Sequence, residues 1–271
     1  MAFNNTSQNG TSIHENWVPM ALQFVFGLVG NILALVLLKL SSSQHRWRSF
    51  YQLYTGLVIS DLSIWLLTTP LSIARYATHF TWSFPPIICR YDSFMLMFAL
   101  TSSAFIIGAM TVDRFLAMAR PNESATSSSC VYVVILLGIW VLAGLLSAVH
   151  LTMHLTKNFY PGSWCYMDYV NLTESKSGTL HAYFYSIVGL SVVFIIATIN
   201  LLMLFTVVFN KTLRARLMDT NRISGGYDAH SYVFLATVAL VFSSLWTPHL
   251  VSFFFISFLP LFPRYTDQKG V

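Results

Sequence analysis

CRYDSFMLMFALTSSAFIIGAMTVDRFLAMARP, residues Cys89 to Pro121, decides the fold. It begins with a cysteine beside charged residues, runs from Ser93 to Val112 without a formal charge, and breaks at Asp113-Arg114-Phe115. A bilayer core of about 30 Å takes roughly 20 apolar residues of helix, so this stretch reads as one complete membrane crossing with a chemical marker at each end.

The rest of the chain agrees. Of 271 residues, 55% are hydrophobic and only 9% charged, and the mean hydropathy is +0.63. Too few charged groups remain to cover a soluble domain, so the chain is an integral membrane protein. Its apolar runs are continuous and lack the alternation of a barrel strand, which makes the helix the spanning unit and the fold class all-α, a polytopic membrane helix bundle. The net charge of +5 does not mark a nucleic-acid partner, because the basic residues sit mainly in short connections between spans.

Hydropathy predicts six spans at about 17–39, 50–77, 88–114, 130–153, 181–209 and 231–260. Residues 1–16 are polar, carry sequons at Asn4, Asn5 and Asn9, and show no cleavable signal peptide. These features predict a glycosylated N-terminus that is lumenal or extracellular. The loops after spans one, three and five then hold Lys39, Arg46, Arg48, Arg114, Arg120, Lys211, Arg214, Arg216 and Arg222, a modest majority of the 15 basic residues, as expected of cytoplasmic loops. Asn171 faces outward as a fourth glycosylation candidate, and residues 261–271 form a short polar tail. Cys165, in the longest outer connection, is the one plausible partner for Cys89, since Cys130 starts span four on the opposite side. A bridge would pin that loop over span three; the alternative is two free buried thiols.

Several polar residues interrupt apolar spans, and each carries two readings. Asp61 lies mid-span, where an ionised carboxylate needs a partner, and Asn31 of span one is the nearest in register. It is either a hydration or cation site that changes with state, or a static hydrogen bond between helices. Asp113-Arg114 is either a functional pair or a snorkelling anchor. Trp246-Thr247-Pro248 kinks span six, as a hinge or for packing. Arg75, near the outer end of span two, is a snorkelling anchor or a counter-charge for an acidic ligand. No enzyme signature, cofactor motif or metal-ligand spacing is present, and the eight histidines are scattered.

Gly30-Asn31, Leu57-Val58-Ile59-Ser60-Asp61, Cys89 with Asp113-Arg114-Phe115, Trp140 and Trp246-Thr247-Pro248 together resemble the rhodopsin-like G-protein-coupled receptors. Pro161-Gly162-Ser163-Trp164-Cys165, Ser49-Phe50-Tyr51-Gln52-Leu53 and Thr69-Pro70-Leu71-Ser72-Ile73-Ala74-Arg75-Tyr76 are similar to the prostanoid branch, as is the stretch around Asn200 in a span five without proline. The resemblance implies a receptor for a prostaglandin-like lipid acid that signals through a heterotrimeric G protein. It implies ligand contacts at Ser72, Arg75, Tyr76, Ser163 and Trp164, a roof formed by Trp164, and a switch in which Asp113 restrains Arg114 until span six moves. Prostanoid receptors carry their carboxylate-binding arginine and an Asp-Pro motif on a seventh span, and only eleven residues follow Pro260 here. Two other functions stay open at this level: a non-signalling form that associates with a full-length receptor, and a six-span channel or transporter, for which no inverted repeat is visible.

Overall fold

In hydrocarbon a backbone can satisfy its hydrogen bonds only within its own segment, and each apolar stretch accordingly becomes a helix. The computed structural model describes residues 17–41, 48–119, 129–152, 156–159, 162–167, 176–209 and 229–258. In chain order these form α1 (Val18–Ser41), α2 (Arg48–Leu67), α3 (Thr69–Ala77), α4 (Pro86–Ala119), α5 (Ser129–Thr152), β1 (Thr156–Phe159), β2 (Trp164–Met167), α6 (Lys176–Phe209) and α7 (Ala229–Phe258). Among the described residues, five segments have the length and apolarity of a membrane crossing: Val18–Leu40, Phe50–Ala77, Pro86–Ala117, Cys130–Val149 and Tyr183–Thr206. Helix α7 falls where the sixth span is expected, and the apolar stretch within it among the described residues is Ala236–Ser252. The expected N-terminal segment 1–16 with Asn4, Asn5 and Asn9, the sequon at Asn171 and the tail 261–271 lie outside the described residues.

The structure adds detail in two places. The second span holds two helices: it breaks at Thr68, and α3 restarts with Pro70 in its first turn. Proline has no N–H to donate there and its ring disfavours helical geometry in the residue before it, so Thr69-Pro70 marks the joint. The all-α bundle also carries one two-stranded antiparallel hairpin, β1 with β2, in the connection between α5 and α6. Pro248, by contrast, does not end α7, which continues past it to Phe258.

α4 is the central rod. It packs against α2, α5, α6, α7 and both strands, while α1 lies at the periphery against α2 and α3. The main core gathers Leu53 and Leu57 of α2, Ile106 and Met110 of α4, Leu136 of α5, Ile196 and Met203 of α6, and Leu250 of α7. α1 reaches α2 at one tight point, where the indole of Trp65 lies directly over Gly27 and leaves no room for a side chain there. The outward faces of α1, α5 and α6 expose Phe26, Val134 and Phe194. Such surfaces would aggregate in water but suit acyl chains.

Apolar packing against lipid gives no preference for one helix neighbour over another, so polar pairs fix the register. Trp140 Nε1 of α5 donates to Ser60 Oγ of α2 at 3.0 Å, and that hydroxyl donates to the Gly56 carbonyl at 3.0 Å. Asn200 Nδ2 of α6 donates to Thr111 Oγ1 of α4 at 3.1 Å and to the Ile196 carbonyl at 2.8 Å. A double-mutant cycle of Trp140→Phe and Ser60→Ala, read by reversible unfolding in detergent, should give a coupling of about 0.6–1.7 kcal/mol; a coupling of zero would mean that the α2–α5 register is set elsewhere.

Candidate functional site

At one end of the bundle the hairpin is fastened to α4. Cys89 and Cys165 form a disulfide, 76 residues apart in sequence with their Cα atoms 5.2 Å apart, which excludes the two-free-thiols reading. A second fastening lies three residues further along α4. The Asp92 carboxylate, only 2% exposed, accepts the Cys165 backbone N–H through Oδ2 at 2.7 Å. Residues i and i+3 share a helix face, so sulfur and carboxylate grip the same residue of β2. Met97 of α4 packs under Tyr166 and Met167, completing the seat.

The hairpin turn is held from a second side. Arg75, 5% exposed, donates from Nε to the Gly162 carbonyl at 2.8 Å, and its guanidinium lies 5.0, 5.2 and 5.7 Å from the ring centres of Phe80, Trp82 and Phe84. Gly162 sits at φ +99°, which strains any residue with a side chain, and a Cβ there would lie 3.0 Å from Arg75 Nη2. After α3 the chain turns through His79 and Phe80 in the left-handed region, at φ 48° and 58°. This is a rare conformation for such side chains. The Phe80 N–H bond to the Arg75 carbonyl at 3.0 Å and the Tyr76–Phe80 ring contact hold it. Arg75 is thus not a snorkelling anchor: it is inside an aromatic enclosure.

The other residues expected near a ligand cluster at this end. Ser163, next to the clasped carbonyl, is buried; Trp164 stacks on Phe159 at 5.0 Å; Ser72 is buried on α3; Tyr76 is half-buried. The structure brings Arg75 into contact with the Gly162-Ser163 turn.

Below the hairpin lie two cavities. One, of about 380 Å³ and open on one side, lies between α2, α4 and α7, and its wall includes Asp61, Ser103, Phe242 and Trp246. Ser103 Oγ donates to Asp61 Oδ1 at 2.8 Å. The partner expected for Asp61 was Asn31, but Asn31 Nδ2 donates instead to the Gly27 carbonyl of its own helix at 2.8 Å. A side chain with a free carbonyl one turn back satisfies itself locally. The other cavity, of about 60 Å³, is almost wholly apolar and lies between α4, α5, α6 and α7, with Trp246 again in its wall.

At the far end of α4, Asp113 and Arg114 form an ion pair, with Arg114 Nη2 and Nε donating to Asp113 Oδ2 at 2.6 and 3.1 Å. Both side chains are buried, at 9% and 4% exposure, so Arg114 is not a surface anchor. Tyr132 of α5 donates its hydroxyl to Asp113 Oδ1 at 2.8 Å, and the Arg114 guanidinium lies 4.9 Å from the Phe50 ring of α2. The pair therefore ties α4 to two neighbours. Asp92, Ser103, Tyr132 and Phe50 all escape a reading based on single residues. Only Asp92 leaves a signal, its spacing from Cys89.

The pattern described as 7 transmembrane receptor (rhodopsin family) matches residues 30–269. The chain is similar to the prostaglandin E2 receptor EP4 subtype of Bos taurus, 29% identical over 98% of this chain and 51% of the relative. The human EP4 subtype is 31% identical over 81% of this chain and 44% of its own length. The bovine prostaglandin E2 receptor EP3 subtype is 29% identical over 84% and 58% respectively. The chain thus spans about half the length of the curated relatives it matches.

The double fastening of β2 can be taken apart. Replacing Cys89 and Cys165 together by serine should lower stability by about 2–4 kcal/mol. Asp92→Ala, which strands a buried N–H, should cost about 1–3 kcal/mol with the bridge intact. Thermal unfolding in detergent, with and without reductant, measures both.

Proposed function

Because this chain belongs to the rhodopsin family of seven-transmembrane receptors, we propose that it serves as a receptor for a prostaglandin-like lipid acid. On this reading it signals from the plasma membrane through a heterotrimeric G protein, with the hairpin end outside the cell. The observation that carries the reading is the likeness to prostaglandin E2 receptors along almost the whole chain. The geometry supports it with a roof fastened over apolar space at one end and a restrained arginine at the other.

In this assignment the acid head of the ligand meets the hairpin. Ser163 donates to its carboxylate, beside the turn that Arg75 holds, and Arg75 supplies positive potential from within its aromatic enclosure. Ser72 and Tyr76 flank that position on α3, and Trp164 closes it from above. The hydrocarbon part of the ligand occupies apolar space below, where Trp246 stands in the wall of both cavities. Asp61, Trp246 and Pro248 respond to the ligand, and the response frees Arg114 from Asp113 for the G protein. Tyr132 takes part in the restraint, because its hydroxyl holds the Asp113 oxygen that Arg114 does not use.

Binding of tritiated prostaglandin E2 to membranes carrying the surface-inserted chain tests the assignment. Saturable binding that weakens by about tenfold in Ser163→Ala is expected, as for loss of one hydrogen bond to a charged group; correctly inserted protein with no saturable binding rejects the ligand class. Tyr132→Phe should raise ligand-independent nucleotide exchange on the G protein by about fivefold, as for loss of roughly 1 kcal/mol from the restraint. Unchanged basal exchange would remove Tyr132 from the switch.

A further inference from the structure

We propose that Asn200 of α6 is the second resting place of Arg114: once released from Asp113, the guanidinium donates to Asn200 Oδ1 and ties α4 to α6. Asn200 is 5% exposed, and its Nδ2 is committed to Thr111 Oγ1 at 3.1 Å and to the Ile196 carbonyl at 2.8 Å. The contact with Ile196 fixes which way round the amide lies, because two carbonyl oxygens facing one another have no proton to share. That leaves Oδ1 buried, with no donor to it among the described residues. Buried side-chain acceptors are ordinarily met. This one is kept for a donor that arrives in another state of the bundle.

The arrangement around α4 identifies the donor. Successive residues of a helix turn by about 100°, so Asp113 lies about 100° to one side of Arg114 and Thr111 about 60° to the other. The side of Asp113 faces α5, since Tyr132 reaches it, and the side of Thr111 faces α6, since Asn200 reaches it. Arg114 thus stands between an acceptor in use and one in reserve. Thr111 is one turn nearer the start of α4, and helical side chains lean toward that end, so a long side chain at position 114 extends toward the level of Asn200. A guanidinium has five N–H donors and no acceptor, and a neutral amide oxygen receives it without adding a charge to the bundle interior. Release from Asp113 therefore does not leave the arginine loose: it exchanges a tie within α4 for a tie to α6. The inference rests on the reading of Asp113 and Arg114 as a switch, and not on the identity of any ligand.

A double-mutant cycle of Arg114→Gln and Asn200→Ala, read by reversible unfolding of the full chain in detergent, is run in the native background and again with Asp113→Ala. Expected are no coupling in the first, where Asp113 holds the arginine, and about tenfold in the unfolding equilibrium in the second, as for a hydrogen bond to a charged group. Asp113→Asn, which keeps the shape and removes the charge, serves as the second background should Asp113→Ala fail to fold. Zero coupling in both backgrounds overturns the proposal; so does equal coupling in both, which marks a standing contact and not a second position. A matching cycle with Thr111→Val takes away the partner of Nδ2 and leaves Oδ1 in place, so it should show no coupling to Arg114. Coupling there as large as that of Asn200 would overturn the assignment to Oδ1. Neither ligand nor G protein enters these measurements. Failed prostaglandin binding would therefore reject the earlier assignment and leave this one standing, whereas a zero cycle removes Asn200 and leaves the ligand assignment untouched.

Discussion

A carboxylate removed from water has to be met by donors at once, and among the described residues each buried acid is met at a joint on α4. Asp61 of α2 is met by Ser103 of α4; Asp92 of α4 by the backbone N–H of β2; Asp113 of α4 by its neighbour Arg114 and by Tyr132 of α5. In a membrane the alternative to such a joint is an unsatisfied charge in hydrocarbon, which costs several kcal/mol even after relaxation. The acids are therefore position markers: they determine which face of α4 meets α2, which meets α5, and where the hairpin lands. Apolar side chains then fill the space so defined, and because lipid tails are as apolar as leucine they add density without adding direction.

The same logic explains how much of the molecule was legible in its residues. The spans were readable because burial in lipid demands long uncharged runs, and such a run between Cys89 and Asp113 has no other physical meaning. The disulfide was readable because membrane sidedness leaves Cys89 a single partner. The break at Thr68 is signalled by Thr69-Pro70 but hidden by hydropathy that continues across it. The pairing of Asp61 was misread, since register by hydropathy says nothing about rotation, and rotation is what turns Ser103 rather than Asn31 toward it. Tyr132 and Phe50 could not be assigned at all. Each is one aromatic among many, given meaning only by the neighbour that folding supplies.

Arg75 shows how a residue's surroundings change the role its type suggests. Near a membrane surface an arginine is ordinarily a tether to head groups or a hook for an anion. Here the aromatic rings on the turn after α3 enclose it, and a carbonyl of the hairpin takes its Nε. Its planar fork joins two loops that share no covalent link at that point, so the first and second connections on this side move as one piece. The wall they form takes its shape from an aromatic enclosure and a glycine at positive φ.

The sulfur link has a consequence for biosynthesis. Between Cys89 and Cys165 the chain runs the length of α4 and returns along the length of α5, so the two sulfurs meet only after a helical hairpin has been threaded through the bilayer and back. Disulfides form where the compartment is oxidising. A polypeptide inserted upside down, or with α5 left on the ribosomal side, keeps its thiols reduced whatever its other contacts. The oxidation state of this one pair is thus a chemical record of correct topogenesis, written by the cell before any ligand arrives.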